Sequence, residues 1–309
     1  MRSYEEEAEE ILMLFGKGGV VADSGGKDSS VLKEIAYRCH EKYGLQYRIE
    51  HNHTTLDAPE TVYFVRAERE RERGRGIDYS ISYPETTFEK LCYKNGMLPT
   101  RIARFCCAEL KERQGRDRSV RTITGVRRDE STSRRHNQGV ITMLDAEEVV
   151  PGTIDDVNIK RTKKGGVIVM NYDNSEKAEM VYTCFRTNKT LVNPMINWTE
   201  DDVWRYIRDN KIPYNPLYDC GFFRVGCVGC PMSSYKGRMR DFERYPKYRD
   251  RYIRIADKIV QKKKESGLKK PTKFIFKDGV DYFKHWIEDP NIDGQLSFDM
   301  NGDITEDYT

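Results

Sequence analysis

Six consecutive residues, Ser24-Gly25-Gly26-Lys27-Asp28-Ser29, bring together the groups that hold an anion. The apolar run Gly19-Val20-Val21-Ala22 precedes them, and the helical pattern Val31-Leu32-Lys33-Glu34-Ile35-Ala36 follows. A strand that passes through a Ser/Gly turn into a helix presents unpaired backbone N–H groups and the positive end of the helix dipole. Gly25 and Gly26 let the backbone approach phosphate oxygens and accept positive φ. Lys27 adds a point charge, and Ser24 and Ser29 add hydroxyl donors. Asp28 is the odd member, because a carboxylate repels phosphate; capping the helix or holding Mg²⁺ resolves the conflict. The lysine follows only two glycines, so this is not the G-x-x-x-x-G-K-[ST] loop of many kinases and GTPases. The plainer reading is a glycine turn capped by Ser and Asp.

The eight cysteines supply a second constellation. Cys227-x-x-Cys230 is bracketed by Gly226, Gly229 and Pro231, a tight knuckle suited to two thiolates on one metal. Two buried thiols beside a turn is the alternative. The side chains of the adjacent pair Cys106-Cys107 diverge and do not easily chelate one tetrahedral zinc, whereas an iron–sulfur cluster offers separate iron corners. Cys106, Cys107, Cys227 and Cys230 are therefore expected to hold a [4Fe–4S] cluster in preference to Zn²⁺. Cys220 is a substitute for either member of the pair, and Cys39, Cys92 and Cys184 read as packed or surface thiols.

A third set is Gly125-Val126-Arg127-Arg128-Asp129-Glu130-Ser131-Thr132-Ser133-Arg134-Arg135. Arginines at a strand's carboxyl end form a fork for phosphate or sulfate oxygens, although a solvated charged loop has the same composition. Arg127 and Arg134 are the candidates for stabilising developing charge. Arg101 and Arg104 can line the same site, and Lys111 can tune the charge of the cluster. Thr54 and Asp57, with Glu60 nearby, are candidates for binding Mg²⁺ or the ribose, against a turn-capping role.

Alternating elements must position these groups. The spacing predicts a helix over Glu5–Leu14, strands at Gly19–Ala22, Tyr47–His51, Asp78–Ser82 and Val120–Gly125, and helices from the glycine turn to Tyr43 and from Pro59. Gly44 is a C-cap. Strand and helix in alternation argue an α/β fold with a doubly wound parallel sheet, whose ligands sit at the carboxyl ends of the strands. Residues 144–180, with Pro151-Gly152 and Lys163-Lys164-Gly165-Gly166, read as an insertion or β-hairpin on that sheet. Trp198–Asn210 returns to helix, capped by Thr199. Arg238–Glu265 reads as one basic amphipathic helix with Tyr245, Tyr248, Tyr252, Ile255 and Ile259 interleaved. It is either a core-facing helix or, less simply, a nucleic-acid face. Residues 1–235 are expected to form the α/β domain and 236–309 a basic helical extension.

Composition bounds the partners. A chain of 309 residues, 38% hydrophobic and 33% charged, can bury a proper core, and a net charge of +3 allows RNA or DNA without demanding it. No apolar run approaches about 20 residues, so no membrane association is expected. A cytoplasmic setting is expected, where cysteines serve as metal or redox ligands rather than disulfides. A homodimer or larger complex is compatible with this composition.

With these residues in view, the chain resembles the phosphoadenosine phosphosulfate reductase family of the adenine-nucleotide α-hydrolase superfamily. Ser24–Ser29 is similar to the PP-loop S-G-G-x-D-S, Thr54–Thr61 to T-T-L-D-x-P-E-T, and Gly125–Arg134 to G-x-R-x-x-E-S-x-x-R. Pro194–Trp204, Tyr214–Asp219 and Gly226–Pro231 complete a set that runs from about residue 18 to 235. The resemblance implies an adenine nucleotide in the cradle, bound by Ser24 to Ser29, Thr54, Asp57, Gly125 and Arg127. The cysteine set also resembles the cluster ligands of adenylylsulfate reductases. Family reductases attack sulfur with a cysteine in a terminal E-C-G-x-H motif, and residues 231–309 contain no cysteine. The leading expectation is therefore ATP chemistry at the α-phosphate, with Lys27, Asp28, Arg127 and Arg134 as catalytic groups and Asp28 and Asp57 on Mg²⁺. As in relatives that thiolate tRNA or modify DNA, it can be coupled to sulfur transfer onto nucleic acid. The alternatives are a phosphoadenosine phosphosulfate or adenylylsulfate reductase releasing sulfite, and a non-catalytic nucleotide- and RNA-binding subunit such as those beside CRISPR systems.

Overall fold

The computed structural model describes residues 3–112, 120–130, 139–143, 190–265 and 276–288, with short strands at 159–161, 167–169, 297–298 and 304–305. Arg134, Arg135, Cys184 and most of the 144–180 segment lie outside the described residues. The chain divides into two compact units: residues 1–52, 59–82 and 115–225 form the first, and 53–58, 83–114 and 226–309 the second.

In the first unit, strands β1 (Gly19–Asp23), β2 (Tyr47–Asn52), β3 (Tyr79–Ser82), β4 (Thr122–Ile123) and β8 (Thr190–Val192) lie parallel in the order β3-β2-β1-β4-β8. The chain steps outward from β1 to β3, then returns to lay β4 on the other flank of β1. That reversal makes the carboxyl end of β1 a topological switch point, the position at which open α/β sheets bind ligands. The expected class holds. The sheet is extended by antiparallel strands β5 (Ile141–Met143), β7 (Val167–Val169) and β6 (Ile159–Arg161).

Local sequence explains the helices of this unit. Helix α1 (Tyr4–Phe15) starts at a reciprocal Ser3/Glu6 capping box and buries Ala8, Ile11, Leu12 and Phe15. Helix α2 (Lys27–Tyr43) buries Val31, Leu32, Ile35, Ala36 and Cys39 and stops at Gly44, whose φ of 71° is the left-handed cap expected there. Helix α3 spans Pro59–Gly74, and Thr199 caps the helix Glu200–Asp209 with Asp202 reciprocating.

The second unit is helical, built from Phe88–Asn95, a short turn Phe105–Cys107 that runs into the π-helical Ala108–Glu112, Tyr235–Arg244, Pro246–Glu265 and Gly279–Glu288. The single basic helix expected over Arg238–Glu265 is two helices. Pro246 lacks an N–H and disfavours helical geometry at Tyr245, so one helix ends and the next starts with Pro in its first turn. Amphipathic spacing continues on both sides of the break, which is why periodicity alone merged them. Tyr245, Tyr252, Ile255 and Ile259 are buried. Phe242, Tyr252, Phe283 and Trp286 form an aromatic core with centroid spacings of 5.1 Å for Phe242–Tyr252 and 5.2 Å for Tyr252–Trp286. Among the described residues, no helix is long and apolar enough to cross a membrane.

The most consequential buried group is the Asp23 carboxylate at the end of β1. Its Oδ1 accepts hydrogen bonds from Gly25 N and Ser29 Oγ, both at 2.8 Å. Its Oδ2 accepts from Lys33 Nζ at 2.7 Å and Tyr79 OH at 2.6 Å. Lys33 also pairs with Glu68 at 2.8 Å. Burial alone would raise the Asp23 pKa, but the Lys33 charge, His51 and the bonds from Lys33 and Tyr79 outweigh it and hold the carboxyl well below the usual range. Because the folded pKa is lowered, this stabilisation is complete above the unfolded value of about 3.9 and is lost only as pH falls through the folded value. Asp23→Asn leaves the buried Lys33 charge to Glu68 and weakens the charge-assisted hydrogen bonds at Asp23, and should cost about 1–3 kcal/mol in urea unfolding. The gap from the wild type should stay flat between pH 8 and 5 and narrow only below about pH 4.

Candidate functional site

The glycine turn is locked from four sides within the first unit. Gly25 sits at φ 71°, and a Cβ there would lie 3.0 Å from Thr61 Cγ2 and 3.1 Å from Val65 Cγ2. Its N–H is held by Asp23, and its carbonyl accepts from Asn215 Nδ2 at 3.1 Å. Ser29 Oγ contacts Asp23 and Gly26 O at 2.8 Å each, and lies 3.3 Å from Ser24 Oγ. Tyr218 OH accepts from Lys27 N at 3.0 Å. Gly26, the N-cap of α2, brings no side-chain cap of its own. This is a preformed turn at a helix N-terminus, the geometry that favours an anion.

A ring of charges stands on the same turn. Arg127 is 1% exposed, with Nε 2.6 Å from Asp28 Oδ1 and Nη2 2.6 Å from Glu200 Oε2. Lys27 Nζ lies 3.3 Å from Asp28 Oδ2 and 3.2 Å from Glu200 Oε1. Gly125 permits this approach, since a Cβ there would sit 3.0 Å from the Asp28 carbonyl. Ser24, Gly25, Gly26, Lys27, Asp28, Ser29, Gly125 and Arg127 are thus brought together. Arg128 turns to Asn197 Oδ1 at 2.7 Å instead of completing a fork. Sequence reasoning missed Asp23, Asn215, Tyr218 and Glu200 as parts of this site. The one local signal was an acid ending a buried strand.

The thiol site belongs to the second unit. Cys227 pairs with Asp57 through an isolated antiparallel bridge, and Val228 N donates to Leu56 O at 2.8 Å. Gly229 has φ 68°, and a Cβ there would come within 2.4 Å of Phe242 Cζ, so the knuckle requires glycine. Tyr252 OH donates to Val228 O at 3.1 Å and Tyr248 OH to Asp57 O at 2.7 Å. The Cys106 thiol is pushed up by its hydrogen bond with Cys107, by burial, and by Cys107, Cys227 and Cys230 around it. Burial pushes Cys227 up to about 11, against the pull of Lys111. Lys111 in turn is held charged by Cys227, against burial, with Asp57, Cys230 and Cys107 adding to the effect.

Four thiols and one ammonium therefore share a neighbourhood, which suits an anionic four-thiolate centre. Thr54 and Asp57 also lie here: Thr54 N and Oγ1 donate to the Asp57 carboxylate at 2.7 and 2.9 Å, and His53 Nδ1 lies 3.0 Å from it. The turn-capping alternative for Asp57 is thereby realised. Thr54 Oγ1 also lies 3.3 Å from Cys227 Sγ. Arg101 and Arg104 fall in this unit as well, whereas Cys220 is an exposed thiol of the first unit; Cys39 and Cys92 are buried.

The glycine turn, with a buried lysine and arginine beside it, lies at the switch point of a parallel sheet in an α/β fold. The chain belongs to the phosphoadenosine phosphosulfate reductase domain family, whose model matches residues 19–233. It is 25% identical over 225 residues to adenosine 5'-phosphosulfate reductase 1 of Bacillus subtilis (strain 168), covering 72% of this chain and 76% of that protein. A stretch of 54 residues is 44% identical to an adenosine 5'-phosphosulfate reductase of Oceanobacillus iheyensis, covering 18% of this chain and only 22% of the relative. The phosphoadenylyl-sulfate reductase of Candida auris, solved as a phosphate complex, aligns at 15% identity with a TM-score of 0.43, covering 74% of this chain and 90% of that one.

The locked turn makes a checkable claim about Gly25. Gly25→Ala should destabilise by about 1–3 kcal/mol in urea unfolding, from left-handed strain plus its clash with Thr61 and Val65. Gly44→Ala, at the same φ but facing open space, should cost only the strain, about 1–2 kcal/mol.

Proposed function

We propose that the cradle binds ATP by its phosphates and directs chemistry to the α-phosphate, transferring adenylate to an acceptor with release of pyrophosphate. The observation that carries this reading is the convergence of Lys27 and the buried Arg127 on the preformed Gly25–Ser29 turn. Adenine is the base favoured by the family, whose curated relatives act on adenosine 5'-phosphosulfate by name. The positive end of α2 and the Lys27 ammonium seat the phosphates, the Gly25 amide being held by Asp23 to fix the turn. Lys27 and Arg127 balance the charge that builds as the bond to the leaving pyrophosphate lengthens, and Asp28 offers a carboxylate to the Mg²⁺ that accompanies ATP. Arg134 is a further candidate for the same role.

In this reading Cys106, Cys107, Cys227 and Cys230 hold a [4Fe–4S] cluster that supplies sulfur or electron chemistry when bound, and Lys111 offsets its charge. The acceptor the reading favours is a nucleic acid that receives sulfur at the adenylated position. Exposed Arg254, Lys258, Lys262 and Lys264 on the Pro246–Glu265 helix offer contacts to phosphates. The aromatics of that helix are largely packed inside and do not provide a stacking face.

A second reading is sulfonucleotide reduction, favoured by the reductases of 25–27% identity that align over 71–72% of this chain. It requires a thiolate that attacks the sulfate sulfur, forms an S–S bond and expels AMP, and Cys220 is an exposed thiol that can be tested for it.

Labelled pyrophosphate should exchange into ATP, with or without nucleic acid, and Lys27→Ala or Arg127→Ala should lower the rate about 10²–10³-fold. Sulfite release from adenosine 5'-phosphosulfate with thioredoxin as the reductant, without exchange and abolished by Cys220→Ser, would overturn the ATP reading in favour of the second. Anaerobically purified protein should be brown and carry about four iron and four sulfide per chain. Stoichiometric zinc instead would make the thiol site a structural one.

A further inference from the structure

Arg127 and Lys27, the two cations of the cradle, are already engaged by acids. Arg127 spends Nε on Asp28 and Nη2 on Glu200, and its Nη1 faces Asp129 at 3.7 Å. Lys27 is shared between Asp28 and Glu200. Two cations among three carboxylates leave this cluster with a net charge of minus one when all are ionised, so a phosphate arriving beside them meets repulsion. One acid must yield.

The three acids differ in how freely they can do so. Asp28 is fixed in the first turn of α2, its side chain 21% exposed. Asp129 is as open to water as Glu200, its side chain 46% exposed, but it reaches Arg127 only at 3.7 Å, so its departure would free neither close contact of the two cations. Glu200 contacts both cations, yet its side chain is 47% exposed and sits at the first position of its helix. Beyond the two cations, Trp204 Nε1 donates to its Oε1 at 3.2 Å. It bridges Lys27 and Arg127 as a bidentate phosphate would, and water is open to it on release.

We propose that Glu200 is a specificity-determining counter-anion: it competes with the ligand's phosphate for Lys27 and Arg127, and the site admits a nucleotide by exchanging the Glu200 carboxylate for a phosphate. This inference rests on the nucleotide reading of the cradle, but on the phosphate alone and not on the reaction that follows. The exchange makes a bare anion a poor ligand. It favours a nucleotide whose charge is partly offset by a divalent cation.

Calorimetric titration of the full chain with AMP, adenosine, and ATP with and without Mg²⁺ tests it. Glu200→Gln should tighten metal-free AMP about tenfold or more and leave adenosine unchanged. It should also shrink the preference for Mg·ATP over ATP. Glu200→Asp, with a shorter reach, should fall between. Trp204→Phe, which loosens the tether without removing charge, should tighten AMP by a smaller factor. Thermal melting establishes that each variant is folded. Unchanged or weaker AMP binding in folded Glu200→Gln, or an equal change for adenosine, would overturn the proposal. Absence of AMP binding in both wild type and variant would overturn it together with the nucleotide reading. Glu200-dependent AMP binding without pyrophosphate exchange would leave it standing and remove the adenylation reading alone.

Discussion

The Asp23 carboxylate is the constraint on which the cradle depends. It ends β1, orients the Gly25 amide, anchors Ser29 in the first turn of α2, and is itself neutralised by Lys33 and Tyr79. One side chain thus sets the angle between strand, turn and helix. A buried ion pair is weak evidence for stability, because apolar residues of similar volume often serve as well. Apolar side chains, however, cannot hold an amide and a hydroxyl in fixed directions. The group therefore makes sense as a device for shaping the turn, with its charge compensated from the layer beneath.

The same electrostatic logic recurs at both candidate sites, each within its own unit. In the first, Lys27 and Arg127 are paired in a confined place with Asp28 and Glu200. In the second, Lys111 is kept charged by the thiols around it, and its charge in turn eases ionisation of Cys227. Buried charges persist only with partners. A ligand that uses them must supply an equivalent partner of its own. The chemistry offered is that of charge exchange in places of low water content.

What the sequence made legible is what short-range rules govern. The glycine turn, the left-handed cap at Gly44, Pro59 opening a helix and the Thr199 cap are decided by neighbours a few residues away, and each stands where the pattern puts it. The glycines around Cys227 and Cys230 predict a tight knuckle, and Gly229 at φ 68° forms one, but that Cys106 and Cys107 share its neighbourhood is decided by the tertiary fold. Asn215, Tyr218 and Glu200 were not, because they meet the turn only through the tertiary fold, across separations of 173 to 191 residues. Arg127 was singled out from Arg128 by the family segment alone, and it is packing that sends one to the cradle and the other to Asn197. The break at Pro246 was hidden by amphipathic spacing that continues across it.

The central claim is that the Gly25–Ser29 turn is a phosphate seat. Backbone amide resonances of Gly25, Gly26, Lys27 and Asp28, followed by NMR during addition of AMP and, separately, of adenosine, test it at the atoms concerned. The account predicts saturable shifts of these amides with AMP and little or no shift with adenosine. Shifts of equal size with adenosine, or an AMP response that leaves these four amides unmoved, would contradict it.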